Sequence, residues 1–131
     1  MSDAARSIAA KLTTALEQRD EELFASLLDP AVRWGGEGET PETCHGREQV
    51  VARYRRLRES GVGVTVEETI CRDDVAVLAL ALSLPQAGRT AELPPVVYQV
   101  FTIARGLIVD IRGFRTREDA VALLANFDSG R

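Results

Sequence analysis

The chain is poor in the residue types that most often carry chemistry. Its 131 residues include two cysteines, one histidine and one tryptophan. Cys44 and Cys71 are too few for a disulfide framework, and neither belongs to a CxxC or Cys/His cluster with metal-ligand spacing. We therefore predict no bound metal and no cofactor, and we interpret both thiols as small buried hydrophobic groups in a reducing compartment.

Long apolar runs and excess positive charge are also missing. No stretch approaches the roughly 20 apolar residues that a membrane span requires, and the N-terminal residues lack the apolar core of a signal peptide. The formal net charge of -4 argues against non-specific nucleic-acid binding, because a surface that follows phosphates needs clustered cations. We expect a cytoplasmic protein with no nucleic-acid or membrane partner.

One basic run is the local exception to this acidic composition. Arg53, Arg55, Arg56 and Arg58 fall within an amphipathic helical pattern whose apolar side carries Val50, Val51, Tyr54 and Leu57. The pattern favours a solvated helix face for the arginines. An anion or partner site is the alternative.

The clearest structural signal runs from Val96 to Phe114. Two β-rich apolar segments are separated only by Ala104, Arg105 and Gly106. A parallel crossover needs a dozen or more residues, so this spacing predicts an antiparallel hairpin.

The remaining elements follow from hydrophobic periodicity and from capping residues. Helical spacing predicts four helices, at residues 2–18, 20–28, 46–61 and 116–127. Asp20 caps the second helix and Thr116 caps the fourth. Strands are predicted at 32–34, 62–71 and 75–84, with a connecting loop at 86–95 before the hairpin. This order predicts a single α+β domain over residues 1–131, in which a strongly bent antiparallel sheet folds around the helices.

The segment from Val75 to Leu84 is apolar on both strand faces. Small residues occupy one face and four leucines occupy the other. Both faces must therefore be covered, one by helices and one by a second subunit in our interpretation. If the leucine face formed that interface, a charge at Leu80 would dissociate the subunits.

At the level of whole motifs the chain resembles the nuclear transport factor 2-like superfamily, and within it the SnoaL-like group. The resemblance rests on Leu28 to Trp34 (LDPAVRW), Cys44 to Val50 (CHGREQV) and Tyr98 to Phe114, and it covers almost the whole chain. That group includes polyketide cyclases, ketosteroid isomerase and limonene epoxide hydrolase. The resemblance implies a cone-shaped, cystatin-like α+β roll around three to four helices, an apolar pocket at its open end, and a homodimer through the outer sheet face.

The comparison with limonene epoxide hydrolase also implies which residues face the pocket. Alternate residues of both hairpin strands would do so, namely Val97, Gln99, Phe101 and Ile103 from the first, and Val109, Ile111 and Gly113 from the second. The hydrolase's Arg-Asp-Asp set would correspond to Val77, Ala79 and Gly113 here. Because these residues cannot activate water, we do not expect that activity.

Five residues are candidate ligand contacts: Trp34, Tyr54, Gln99, Phe101 and Ile111. Gln99 is the most specific of them, because a buried amide among apolar neighbours must find a polar partner. A hydrogen bond to nearby backbone is the alternative for Gln99, and core packing alone is the alternative for Trp34. For Tyr54 we expect a packed ring with an exposed hydroxyl.

Two residues are candidate acid-base catalysts. His45 is the only imidazole in the chain, and imidazole is the side chain best suited to proton transfer near neutrality. Asp110 would face the pocket only if the strand register shifted by one residue. The alternatives are a surface residue at a helix start for His45 and an outward ion pair with Arg112 for Asp110.

Together these features predict a small-molecule-binding domain with an apolar pocket and no assigned activity. The alternative is a cofactor-independent isomerase, cyclase or hydrolase that acts on a hydrophobic substrate, including a polycyclic one, by general acid-base catalysis. A purely protein-binding module would rest only on the breadth of the superfamily. The acidic loop at 37–43 is a candidate lid over the pocket.

Overall fold

The computed structural model describes residues 3–36, 38–83 and 96–129. The elements follow in the order α1 (Asp3–Glu17), α2 (Glu21–Ser26), β1 (Leu28–Gly35), β2 (Cys44–His45), α3 (Arg47–Glu59), β3 (Gly63–Arg72), β4 (Val75–Ser83), β5 (Val96–Ala104), β6 (Leu107–Phe114) and α4 (Arg117–Ser129). The predicted α+β class is confirmed. The predicted loop at 86–95 and the side chain of Phe127 lie outside what the structure describes.

The six strands form one open sheet with the order β2-β1-β6-β5-β4-β3. The predicted hairpin is confirmed, since β5 and β6 pair in antiparallel fashion around the turn at Arg105 and Gly106. One pairing departs from the predicted antiparallel pattern, because β1 and β6 run parallel. These two strands are far apart in sequence, so no tight turn constrains their direction.

The first strand is longer than its sequence indicates. Helix α2 begins at the predicted cap, where Asp20 accepts a 3.1 Å hydrogen bond from the Leu23 N–H, but it ends at Ser26. Leu28 instead pairs with Ile108, and the Leu27 carbonyl accepts a hydrogen bond from the Ile108 N–H. Pairing with β6 therefore prevails over the local helical pattern. Pro30 fits within β1 because the register shifts between Leu28 and Arg33.

A bulge in β3 changes which alternate residues of the strand point to the inner side of the sheet. The register against β4 shifts between Val66 and Glu68. Val64 and Val66 pack against the main core, whereas Ile70 packs against a second cluster on the other face. One extra residue therefore inverts the side-chain parity of this strand beyond Glu67.

The two faces of β4 are covered differently from the prediction. Leu78 and Leu80 belong to the main core, on the face that meets α1, α2 and α3, which we call the inner face. Val75 and Val77 lie on the opposite, outer face, where Ala120 and Leu124 of α4 pack against them. A charge at Leu80 would therefore disrupt the core, and the proposed role of the leucine face as a subunit interface is wrong.

Helix α4 is held on the outer face by its cap and by an ion pair. Thr116 caps the helix as predicted by accepting a 3.1 Å hydrogen bond from the Asp119 N–H. Arg117 donates two hydrogen bonds to Glu68, of 3.0 and 2.9 Å. These hydrogen bonds hold the pKa of the Glu68 carboxyl below its usual value. Both side chains are exposed, so they orient the helix more than they stabilise the fold.

Candidate functional site

A cavity of about 410 Å³ lies between the inner sheet face, α1 and α3. Most of its wall is apolar: Leu16, Leu57, Val62, Val64, Leu80, Leu82, Val97 and Phe114. Cavities of this size and character accommodate small organic molecules. Trp34, Tyr54 and Gln99, three of the five predicted ligand contacts, are brought together in its lining.

Aromatic stacking builds the wall beneath β1. The rings of Phe24 and Tyr54 stack with their centroids 4.3 Å apart, and Phe24 meets Trp34 edge-on at 6.5 Å. The guanidinium of Arg53 lies over the Trp34 ring, 4.8 Å from its centroid. This chain of contacts links α2, α3 and β1, and it fixes the orientation of the indole at the cavity.

The hydroxyl of Tyr54 is turned away from the predicted position. It donates a 2.8 Å hydrogen bond to the Ala15 carbonyl and is buried, so the expectation of an exposed hydroxyl is wrong. Burial is the main cause of the raised pKa of this phenol. Tyr54 therefore contributes its ring to the cavity, and its proton is committed to the backbone of α1.

Gln99 is the polar group at the sheet wall of the cavity. It lies on β5 opposite Gly113 of β6, so the absence of a side chain on Gly113 leaves space in front of the amide. Within the described residues, the Gln99 side chain has no hydrogen-bond partner. The amide can thus donate and accept hydrogen bonds toward a molecule in the cavity.

The other two predicted contacts lie deeper. Phe101 and Ile111 are each 1% exposed and pack in the main core, outside the cavity lining. The prediction that Val109 faces inward is wrong, because a bulge between Thr102 and Ile103 pairs Ile103 with Ile108 instead. Phe101 and Ile111 support the cavity from below.

Both candidate acid-base residues lie outside the cavity. Arg33 of β1 pairs in register with His45 on one side and with Asp110 on the other, whereas Trp34 pairs with Cys44 and Ile111. Neighbouring residues of a strand point to opposite faces. Because Trp34 points inward, His45 and Asp110 are placed with Arg33 on the outer face. The one-residue shift that would have brought Asp110 inside does not occur.

These outer residues form a continuous ionic network. Asp110 lies between Arg33, at 3.4 Å, and Arg112, at 3.0 Å. His45 Nε2 lies 2.7 Å from the Glu39 carboxylate, which is also 3.6 Å from Arg33. The hydrogen bond to His45 is the main cause of the lowered pKa of Glu39. The outward ion pair between Asp110 and Arg112, which was the alternative from the sequence, is the arrangement observed.

The same network restrains the candidate lid. Arg33 donates hydrogen bonds to the Gly36 and Gly38 carbonyls, at 3.2 and 2.9 Å. Thr43 is buried directly beneath Gly35, where a Cβ atom would come within 2.8 Å of the Thr43 hydroxyl. The ends of this loop are therefore anchored beside the cavity mouth.

The positively charged part of the cavity lining was only partly foreseen. Arg19, Arg53, Arg58 and Arg115 all contribute to it. Arg53 directly precedes the buried Tyr54 on α3, which places it at the border of the apolar helix face. Arg19 and Arg115 come from segments far apart in the chain, and no sequence spacing links them.

Neither metal ligation nor a membrane-spanning helix emerges from the described ranges. In residues 3–36, 38–83 and 96–129 there is no group of three or more His, Cys, Asp or Glu side chains that could hold a metal ion. No helix in those ranges has the length and apolar character needed to cross a membrane.

Comparisons with known proteins agree with this architecture. A family model described as a SnoaL-like domain matches residues 9–111. No match was found among curated proteins. Among solved structures, a provisionally assigned ketosteroid isomerase from Kribbella flavida is 23% identical with a TM-score of 0.70, and the match covers 88% of this chain and 80% of that one.

Two further structures show the same fold. An NTF2-like protein of unknown function from Burkholderia pseudomallei is 22% identical with a TM-score of 0.69, covering 94% of this chain and 98% of that one. A provisionally assigned polyketide cyclase from Sinorhizobium meliloti is 17% identical with a TM-score of 0.66, covering 82% of this chain and 94% of that one. Identities this low indicate a shared fold and leave the activity open.

Proposed function

The chain belongs to the SnoaL-like domain family, and from this premise and the geometry of its cavity we propose that it binds a small apolar molecule between α1, α3 and the inner sheet face. The observation that carries the proposal is Gln99. Its amide faces an apolar cavity and has no hydrogen-bond partner in the described part of the chain. A ligand carbonyl or hydroxyl would satisfy it and would be oriented by it.

Binding without proton transfer is the form of the proposal that the cavity favours. In the described residues, the polar side-chain groups of the lining are guanidinium groups, the Gln99 amide, the Trp34 indole N–H and the Tyr54 phenol. Guanidinium, amide and indole groups do not take up a proton near neutral pH, and the phenol donates to Ala15. The alternative, a cofactor-independent isomerase, cyclase or hydrolase, would need a base supplied by the substrate or by another part of the chain.

We expect His45→Ala and Asp110→Asn to leave ligand affinity within about twofold of wild type, because both residues lie across the sheet from the cavity. Isothermal titration calorimetry with 2-naphthamide, a neutral aromatic probe, measures this directly. Gln99→Leu is the matched positive variant, and we expect it to weaken binding by about tenfold through loss of the amide hydrogen bond.

The same variants distinguish binding from catalysis. Suppose that the protein turns over an apolar substrate. If the rate then falls by about a hundredfold or more in His45→Ala or Asp110→Asn while the fold stays intact, general acid-base catalysis is supported and the binding-only proposal is wrong.

We also propose that two copies of the chain associate through the part of the outer face that α4 leaves open. Ala81 and Val96 pair across β4 and β5 there and are only half-buried. Small and apolar residues allow two sheets to approach closely. We expect sedimentation velocity to show a wild-type dimer and an Ala81→Glu monomer, because the change buries an unpaired charge. A wild-type monomer at micromolar concentration would contradict this proposal.

A further inference from the structure

We propose that the ligand of this cavity is an amphipathic anion, an apolar ring system or chain that carries a single carboxylate, with the carboxylate bound by the arginines of the lining. This inference rests on the proposed function and adds the charge of the ligand to it. It follows from the sign, pairing and placement of the charged side chains around the cavity.

All charged side chains in the described lining have the same sign. Arg19, Arg53, Arg58 and Arg115 contribute to it, and no carboxylate among the described residues does. The whole chain carries a formal net charge of -4, so this concentration of positive charge opposes the overall balance. A concave site lined by one sign of charge focuses the field and attracts ligands of the opposite sign.

Three of these arginines have no acidic partner among the described residues. Arg19, Arg53 and Arg115 form no ion pair there. Arg58 lies 3.3 Å from Glu21, but Glu21 also accepts a two-point contact from Arg55, at 3.1 and 2.6 Å. One carboxylate is thus shared between two arginines of α3, and the positive charge at the cavity remains uncompensated.

Arg53 shows how an anion would be held. Its guanidinium lies over the Trp34 ring and is half-buried, so its position is fixed before any ligand arrives. A cation–π contact uses no N–H group as a hydrogen-bond donor to oxygen, and in the described residues the Arg53 guanidinium donates no hydrogen bond, so its N–H groups can donate to a ligand. A planar carboxylate matches the edge of the guanidinium, and two parallel hydrogen bonds can form.

The apolar and charged parts of the lining together define the ligand class. Leu80, Leu82 and Val97 offer a surface that favours an aromatic or alicyclic body. The arginines come from the loop after α1, from α3 and from the segment after β6. An inorganic anion would use only the arginines, and a neutral hydrocarbon would use only the apolar wall. An apolar carboxylate uses both.

The test compares two probes of the same shape that differ in charge. Isothermal titration calorimetry is performed with 2-naphthoate and with its neutral amide, 2-naphthamide. We expect the carboxylate to bind at least about tenfold more tightly than the amide. We also expect added salt to weaken the binding of the carboxylate but not that of the amide. Equal affinities would overturn the inference and leave the proposed function standing. Binding of neither probe at millimolar concentration would overturn both.

Variants of α3 assign the effect to the cavity. Arg53→Gln should weaken the binding of 2-naphthoate about tenfold and the binding of 2-naphthamide much less. Arg53→Lys should retain part of the preference for the carboxylate over the amide, because the positive charge remains. Arg56→Gln is the matched control, since it removes the same charge from an exposed position of the same helix outside the lining. An equal loss of 2-naphthoate affinity in Arg56→Gln and Arg53→Gln would show only a long-range charge effect and would contradict a carboxylate site at Arg53.

Discussion

Replacing Gly113 by leucine is expected to weaken the binding of 2-naphthoate by at least about tenfold without unfolding the protein. Gly113 lines the cavity opposite Gln99. A Cβ atom at this position would meet only the Gly35 carbonyl, at an ordinary contact distance of 3.9 Å. A leucine there can therefore extend into the cavity, where it would occupy the space of the ligand and cover the Gln99 amide.

Thr14→Leu is the control for this experiment. Thr14 is exposed on α1 and lies outside both the cavity lining and the candidate lid, so a leucine there adds a similar apolar side chain without entering the cavity. Calorimetric titration gives the affinity, and thermal unfolding followed by circular dichroism shows whether each variant is folded. If a folded Gly113→Leu protein binds 2-naphthoate as wild type does, the ligand lies elsewhere.

Truncating Phe24 to alanine is expected to destabilise the protein by about 3–5 kcal/mol. Phe24 is 2% exposed and lies between the rings of Tyr54 and Trp34. It is also the buried residue of α2, a helix of six residues, which is too short to be stable without such packing. Its loss leaves a void under the aromatic wall, and both neighbouring rings lose their support.

Urea unfolding followed by Trp34 fluorescence measures this effect, because Trp34 is the only tryptophan. Glu22→Ala is the matched control, since it changes an exposed residue of the same helix and should alter the free energy of unfolding by less than about 0.5 kcal/mol. If Phe24→Ala lowers the free energy of unfolding by less than about 1 kcal/mol, the aromatic stack does not stabilise the fold.

Periodicity predicted the elements of this fold well, and it failed where a strand changes parity. The apolar stripe of α1, with Ile8, Ala9 and Leu12, is buried as expected. The bulges near Glu67 and Val109 left no signal in residue type, yet each one exchanges the faces of the residues that follow. The direction of each leucine in β4 was also undetermined, because both faces of that strand are apolar.

The candidate site was predictable only where one residue carried its own evidence. Gln99 stood out as an amide among apolar neighbours, and Trp34 and Tyr54 as large aromatics on predicted core faces. The outward positions of His45 and Asp110 depend on the pairing of β2 and β6 with β1, and the β1–β6 pairing joins segments far apart in sequence. The convergence of Arg19, Arg53 and Arg115 depends on the same long-range folding.

A crystal structure of the protein with 2-naphthoate tests directly whether the cavity is the ligand site. We expect the naphthalene ring between Trp34, Leu80 and Val97, with the carboxylate within hydrogen-bond distance of at least one arginine of the lining. A saturated crystal with this cavity free of the probe, or with the probe bound only on the outer sheet face, would show that the cavity is not the site.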